Sequence, residues 1–303
     1  MNKGLKIAIN IAIFLLIFGF VWYMVASAGR DNSQRGRNAG EAAEPFDSPY
    51  VQIASFELPE EINRFDLYDN KLFIAAGQSL FILATDGNLV GKFPIGADLR
   101  DVVVSDNEIY VLYPTRIAVF SIDGQPVRNW DACSYLSDYC SFAVYGNAVF
   151  VTDAANKEIV KYTTEGLFEG FVRSPIGFII PSYSFDIDVW NDTVYVANSG
   201  RHIIEKYTLD GDYISSWGGP GVDAGLFAGC CNPVYMSFSP DGTLITSEKG
   251  NPRISNFDRN GNLNAVWLNN RMLGGSNKAR EVRAMGDKLF IAINERIIVF
   301  ETK

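Results

Sequence analysis

From residue 50 onward, apolar and polar positions alternate with a period of two in short runs broken by polar turns, and one phrase recurs six times. The phrase is an alternating apolar strand, a short polar loop, a second strand and a turn. It reads NKLFIAAGQSLFILATDG at 70–87, NEIYVLYPTRIAVFSIDG at 107–124, NAVFVTDAANKEIVKYTTEG at 147–166, DTVYVANSGRHIIEKYTLDG at 192–211, GTLITSEKGNPRISNFDRNG at 242–261 and DKLFIAINERIIVFETK at 287–303. The turn glycines Gly87, Gly124, Gly166, Gly211 and Gly261 lie 37, 42, 45 and 50 residues apart. Strand periodicity at that repeat length predicts an all-β propeller and excludes a helical solenoid.

Flanking runs extend each phrase to four strands. Inner strands are predicted at 64–69, 99–105, 141–146, 184–190, 234–239 and 281–286, and outer strands at 89–95, 126–130, 167–172, 213–217 and 263–267. The sixth unit stops at Lys303 without an outer strand, and the run VQIASFEL at 51–58 is left over upstream. Adding it to the last unit closes a ring of six blades and removes an open sheet edge. Strand direction puts the blade-to-blade crossovers and the loops between second and third strands on one face, with the tight turns on the other. Crossovers near 130–141, 173–184, 218–233 and 268–280 are long for such connections, so a site is expected on their face.

The N-terminal pattern differs. Residues 7–28 are apolar except for Asn10, Gly19 and Ser27, long enough to span a hydrocarbon core. Lys3 and Lys6 precede this run; Arg30, Arg35 and Arg37 follow it. The reading is a cytoplasmic tail at 1–6, a transmembrane signal-anchor helix at 7–28, a flexible linker at 29–49 and the propeller at 50–303. The competing reading is a cleaved signal peptide, because Ala26-Ser27-Ala28 resembles a processing site; the run is longer than a usual signal core. Either reading exports the domain. The anchor makes it a single-pass cell-membrane protein with its propeller on the extracytoplasmic side, periplasmic or extracellular.

A net charge of −9 argues against a nucleic-acid partner. The four cysteines and the single histidine all fall on the crossover face. Cys133 and Cys140 bracket one crossover and are disulfide candidates in an oxidising compartment. Cys230 and Cys231 are adjacent; they close on each other only through a strained ring, or pair elsewhere, or stay thiols. Their spacing fits no zinc pattern. His202 sits beside Arg201 in a loop of the fourth unit, and Glu248, Lys249 and Arg253 occupy the matching loop of the fifth. Glu248 and Lys249 form at most a loop ion pair on this reading. No hydrolase, zincin, phosphate-loop or EF-hand motif is present. Trp130, Trp217 and Trp267 recur at outer-strand ends and are assigned to blade packing.

The phrase VYVANSGRHIIEKYTLDG at 194–211 resembles the NHL-repeat propellers. PSYSFD (181–186), ANSGRH (197–202), WGG (217–219), GCCNP (229–233) and TSEKGNPR (246–253) are similar, in order, to a subset of bacterial exported NHL-type propellers. The chain departs from that pattern at Ile254-Ser255-Asn256-Phe257, where those relatives carry a basic residue. The resemblance implies an exported six-bladed propeller with one busy face and brings no reaction with it. The expected function is a binding platform for a protein partner or small ligand. Its face would be Arg201, His202, Cys230, Cys231, Asn232, Glu248, Lys249 and Arg253 on blades 3–5, with no cofactor, metal or catalytic residue assigned. Two alternatives stand beside it: a membrane redox component using the vicinal cysteines, and a metal-dependent hydrolase or lyase with an ion in the central channel. The second is weakened because the chain has one histidine and no repeated acidic position on the inner strands beyond Asp66, Asp101 and Asp186.

Overall fold

The computed structural model describes residues 46–303. The expected tail, membrane helix and most of the linker lie outside the described residues. Among the described residues no helix is long and apolar enough to cross a membrane.

Six four-stranded antiparallel sheets follow one another along the chain. Their inner strands are Ile62–Tyr68, Asp101–Ser105, Tyr139–Tyr145, Ile187–Trp190, Tyr235–Phe238 and Val282–Met285. Tyr50–Glu57 pairs antiparallel with Arg296–Thr302 and supplies the outer strand of blade 6, in register from Tyr50 opposite Thr302 to Glu57 opposite Arg296. The ring is thus closed by the leftover N-terminal strand, as the pattern predicts.

Inner-strand residues alternate in role. Phe65, Val102, Phe142, Ile187, Met236 and Val282 point between blades and are buried, whereas their neighbours on either side face the channel. Second and third strands are apolar on both faces because each sheet is covered by the next blade.

The repeated glycines are explained by a repeated contact. Gly87, Gly124, Gly166, Gly211 and Gly261 all adopt positive φ. Each lies under an outer-strand side chain of the preceding blade: Phe56, Phe93, Trp130, Val172 and Trp217 respectively. A Cβ at Gly166 would stand 2.7 Å from the Trp130 ring. Tight turn and blade-to-blade seating are therefore one device, and the tryptophans pack as assigned. Trp267 instead meets Tyr50 of the closing strand, with ring centroids 5.3 Å apart.

Gly166→Ala combines left-handed strain with a clash against Trp130, so stability should fall by about 2 kcal/mol or more. Denaturant melts of the wild-type and variant chains check this.

Candidate functional site

Two places carry chemistry: the crossover face of blades 3–5 and the channel on which the inner strands converge.

On the face, most of the sequence-predicted residues serve to hold long loops. Arg201 ends a short 3-10 turn, Ser199–Arg201. Its Nε donates to the Gly177 carbonyl at 2.8 Å and its terminal nitrogen to the Ile176 carbonyl. Asn198 joins it, accepting from the Ile179 N–H at 2.9 Å and donating to Glu205 at 2.9 Å. Glu205 is fully buried and takes Ser174 as well. The 173–186 crossover is therefore pinned from below by blade 4. His202 caps the same turn in the left-handed region with its Nδ1 buried and unpartnered.

The 219–234 crossover is held the same way by blade 5. Asn232 is fully buried; its amide donates to the Ala228 and Lys249 carbonyls at 2.5 and 3.0 Å and accepts from the Lys249 N–H at 2.9 Å. Glu248, itself buried, pairs with half-buried Arg253 at 2.6 Å, in place of the Lys249 partner considered from sequence. Arg253 also donates to the carbonyls of Asp223 and Leu226. Burial pushes the Glu248 carboxyl up, and Arg253 opposes that shift.

That frees Lys249. Its Nζ donates to Ser182 Oγ at 2.7 Å, and the same hydroxyl lies 3.1 Å from Cys231 Sγ. Two crossovers and one loop thus deliver a lysine–serine–cysteine chain beside exposed Cys230. Burial pushes the Cys231 thiol up, but the Cys230 thiol, Ser182 and Lys249 outweigh it and hold Cys231 below its usual value. The Cys230 thiol, hydrogen-bonded to Cys231, is pushed up. Ser182 carried no sequence signal, since a loop serine in PSYSFD looks like any other.

All four cysteines are free thiols in the structure, the disulfide candidates Cys133 and Cys140 among them. Cys140 turns inward, within 3.7 Å of the Asp138 carbonyl, while Cys133 stays exposed on the far side of the loop. Burial, with Asp138 adding to it, pushes the Cys140 thiol up to about 12.

The channel holds more charge than the sequence reading anticipated. At its crossover end each blade contributes one residue to a ring: Arg64, Asp101, Ser141, Asp186, Tyr235 and Glu281. Arg64 reaches Asp101 at 3.8 Å and Glu281 at 3.6 Å, and its guanidinium lies 4.5 Å from the Tyr235 ring centre. Ser141 Oγ bridges Asp101 and Asp186, 2.7 Å from each. One layer deeper, Arg283 joins Asp66 at 3.4 Å and Glu281 at 3.0 Å, with Asp188 beside them. The deeper layer lines a cavity of about 440 Å³ that runs on to Trp190 and Phe238. Asp66 therefore belongs to a different layer from Asp101 and Asp186. Arg64, Asp188, Glu281 and Arg283 were the residues that sequence reasoning missed.

The carboxylates also finish the backbone. Glu281 accepts from the Phe65 N–H at 3.0 Å, Asp66 from Val104 at 2.8 Å and Asp186 from Met236 at 2.6 Å, each from the neighbouring blade. Burial pushes Asp188 and Glu281 up to about 7, and Asp66 and Asp186 upward as well. Among the described residues, no group of three or more His, Cys, Asp or Glu is arranged to hold a metal ion.

No protein-family model matches the chain, and no curated protein matches it. Solved structures do share its fold. Virginiamycin B lyase from Staphylococcus aureus is 12% identical with a TM-score of 0.60, covering 84% of this chain and 100% of its own. The Pan2 WD40 domain of Neurospora crassa is 11% identical with a TM-score of 0.58, covering 85% and 97%. A Bacteroides thetaiotaomicron protein of unknown function is 12% identical with a TM-score of 0.60, covering 84% and 72%. At these identities the likeness establishes the six-bladed propeller and nothing finer.

Two outcomes follow. A carboxyl whose pKa is raised on folding takes up a proton in the native state that the unfolded chain does not bind, so stability falls as pH rises. For Asp188 and Glu281 that window runs from about 4 to about 7. The melting temperature should therefore be higher at pH 5.5 than at pH 8, and Asp188→Asn should flatten the slope; scanning calorimetry across that range reads both. In native thiol trapping with iodoacetamide and peptide mapping, Cys133 and Cys230 should be labelled and Cys140 spared until the chain is unfolded.

Proposed function

We propose that this chain is a membrane-anchored, extracytoplasmic NHL-type propeller that binds a protein partner through the crossover face. One observation carries the reading. Tyr135 is 92% exposed, Tyr183 60% and Val222 82%, on three successive crossovers of one face. Leu136, Ile176 and Ile179 add to the same row. A folded domain gains nothing by presenting aromatic and aliphatic groups this way unless another surface covers them. The loops that carry them are pinned by buried side chains, so the row is a fixed surface, which lowers the ordering cost of binding. A row spread over three crossovers suits a protein segment better than a small ligand. The anchor rests on the length of the apolar run at 7–28, and the linker at 29–49 would keep the face near the membrane.

A second reading is favoured by the Lys249–Ser182–Cys231 chain: the vicinal cysteines act as a dithiol in a membrane redox assembly. It and the binding role share the face and are compatible.

The test is a photo-crosslinking side chain placed at position 183 or 135 of the full chain in its own cells, with position 127 on an outer strand as control. Adducts are expected from 183 and 135 and not from 127, in the membrane fraction. Tyr135→Ala with Tyr183→Ala should abolish adducts trapped from position 176 without lowering the melting temperature. Identical adducts from all positions, or none from the face, would overturn the reading.

A further inference from the structure

None of the residues lining the inner cavity belongs to the exposed row of the partner binding proposed above. Counting the channel charges, Asp66, Asp101, Asp186, Asp188 and Glu281 face only Arg64 and Arg283. The carboxylates are not equally served. Asp66 has Arg283 and the Val104 N–H; Asp101 has Arg64 and Ser141; Asp186 has Ser141 and the Met236 N–H; Glu281 has both arginines. Asp188 has only the N–H of the next residue, Val189, at 2.7 Å, and among the described residues no basic group forms an ion pair with it.

Asp188 also meets space, as do Asp66, Asp101 and Asp186. It lines the cavity of about 440 Å³, within the usual size of small-molecule sites. Blades 2 and 3 contribute apolar Val103, Ala143 and Val144 to the same lining, which continues to the aromatic Trp190 and Phe238. Asp188 is half-buried, has no ion pair and sits in a cavity lined by more carboxylates than arginines, a setting that favours an added cation. A bare metal ion wants several oxygen ligands at short range, and none of the described groups is arranged to supply them. An ammonium head on a short apolar body satisfies both halves of the lining: the head meets Asp188, the alkyl part meets Val103 and Ala143, and an aromatic face adds attraction for the cation.

We propose that the central cavity is a binding site for a small organic ammonium ion, with Asp188 as its counter-ion and the Val103–Ala143 wall as its apolar seat.

The charges that act on Asp188 are Arg283 from blade 6, Asp186 on its own strand and Asp66 from blade 1, and Asp101 of blade 2 lines the same cavity. Blade 3 offers no titratable group there, and blade 5 offers Ser237. Arg283 is the nearest compensating charge, and it is already shared by Asp66 and Glu281. The carboxyl of Asp188, pushed up to about 7 by burial, must be ionised for an ammonium to bind. Alkylammonium ions keep their proton to well above pH 8, as lysine does. Affinity should therefore tighten about tenfold from pH 6 to pH 8.

The experiment uses the full chain, with n-butylammonium and tetramethylammonium chloride as probes and sodium and calcium chloride at equal ionic strength as controls. Titration calorimetry and the thermal shift are read at pH 6 and pH 8. At least one organic cation should bind saturably, with the pH dependence above, and Asp188→Asn should weaken it by about tenfold or more. Val103→Phe fills the seat from the blade 2 wall without touching the charge, so it should also abolish binding; it serves as the second variant if Asp188→Asn fails to fold. No saturable binding beyond sodium chloride would overturn the site. Calcium binding with the same Asp188 dependence, in place of the amines, would overturn the ammonium assignment. Loss of this site would leave the crossover-face adducts unchanged, so the two readings fail separately.

Discussion

The innermost strand of each blade has a partner on one edge only. The other edge faces the channel, and the N–H groups along it have lost water without gaining a strand. This chain answers with carboxylates from the neighbouring blade: Glu281 on Phe65, Asp66 on Val104, Asp186 on Met236. A hydrogen bond to an ionised acceptor is about twice as strong as a neutral one, and each of these also ties one blade to the next. The ring is closed twice, at the outside by the strand Tyr50–Glu57 and at the inside by acids.

That solution has a cost that shapes the interior. Side chains that cap backbone amides well are negative, and placing five of them around one axis builds a field that two arginines do not cancel. Arg64 shows how tightly the compensation is stretched. It lies against Asp101, Glu281 and the Tyr235 ring at once, and its Nε is already given to the Arg100 carbonyl at 3.0 Å. The remaining imbalance goes into protonation, which is why Asp188 and Glu281 reach about 7. Channel chemistry is thus a consequence of how the propeller terminates its inner edges.

The architecture was legible because it depends on period and punctuation. Alternation located the strands, the turn glycines set the repeat, and the missing outer strand of the last unit demanded the run at 51–58. Glycine was readable at these turns because positive φ and the aromatic seat of the preceding blade both exclude a side chain. The channel was only partly legible. Asp101 and Asp186 stand out as acids on apolar strands, yet their layer appears only when 64, 101, 141, 186, 235 and 281 are set in register. Those positions hold Arg, Asp, Ser, Asp, Tyr and Glu, and register cannot be inferred from a position whose residue changes from blade to blade. Arg64 and Arg283 were invisible for the same reason. Spacing also says nothing of side-chain direction: Cys140, early in a strand, is buried, whereas Cys133 is exposed.

The crossover face shows why conspicuous loop residues are a poor guide to contact residues. A loop of a dozen residues lying on a propeller buries amides and carbonyls that have no ladder to join, so long crossovers recruit polar side chains from below. Arg201, Asn232, Glu248 and Arg253 are spent in this way, each on carbonyls or charges of the loop it supports. What the loops then present outward is what this anchoring leaves over: Lys249 with Ser182 and Cys230, and the apolar row of Tyr135, Tyr183 and Val222. The polar residues that look like a binding site build the platform, and the apolar ones that look like filler occupy its surface.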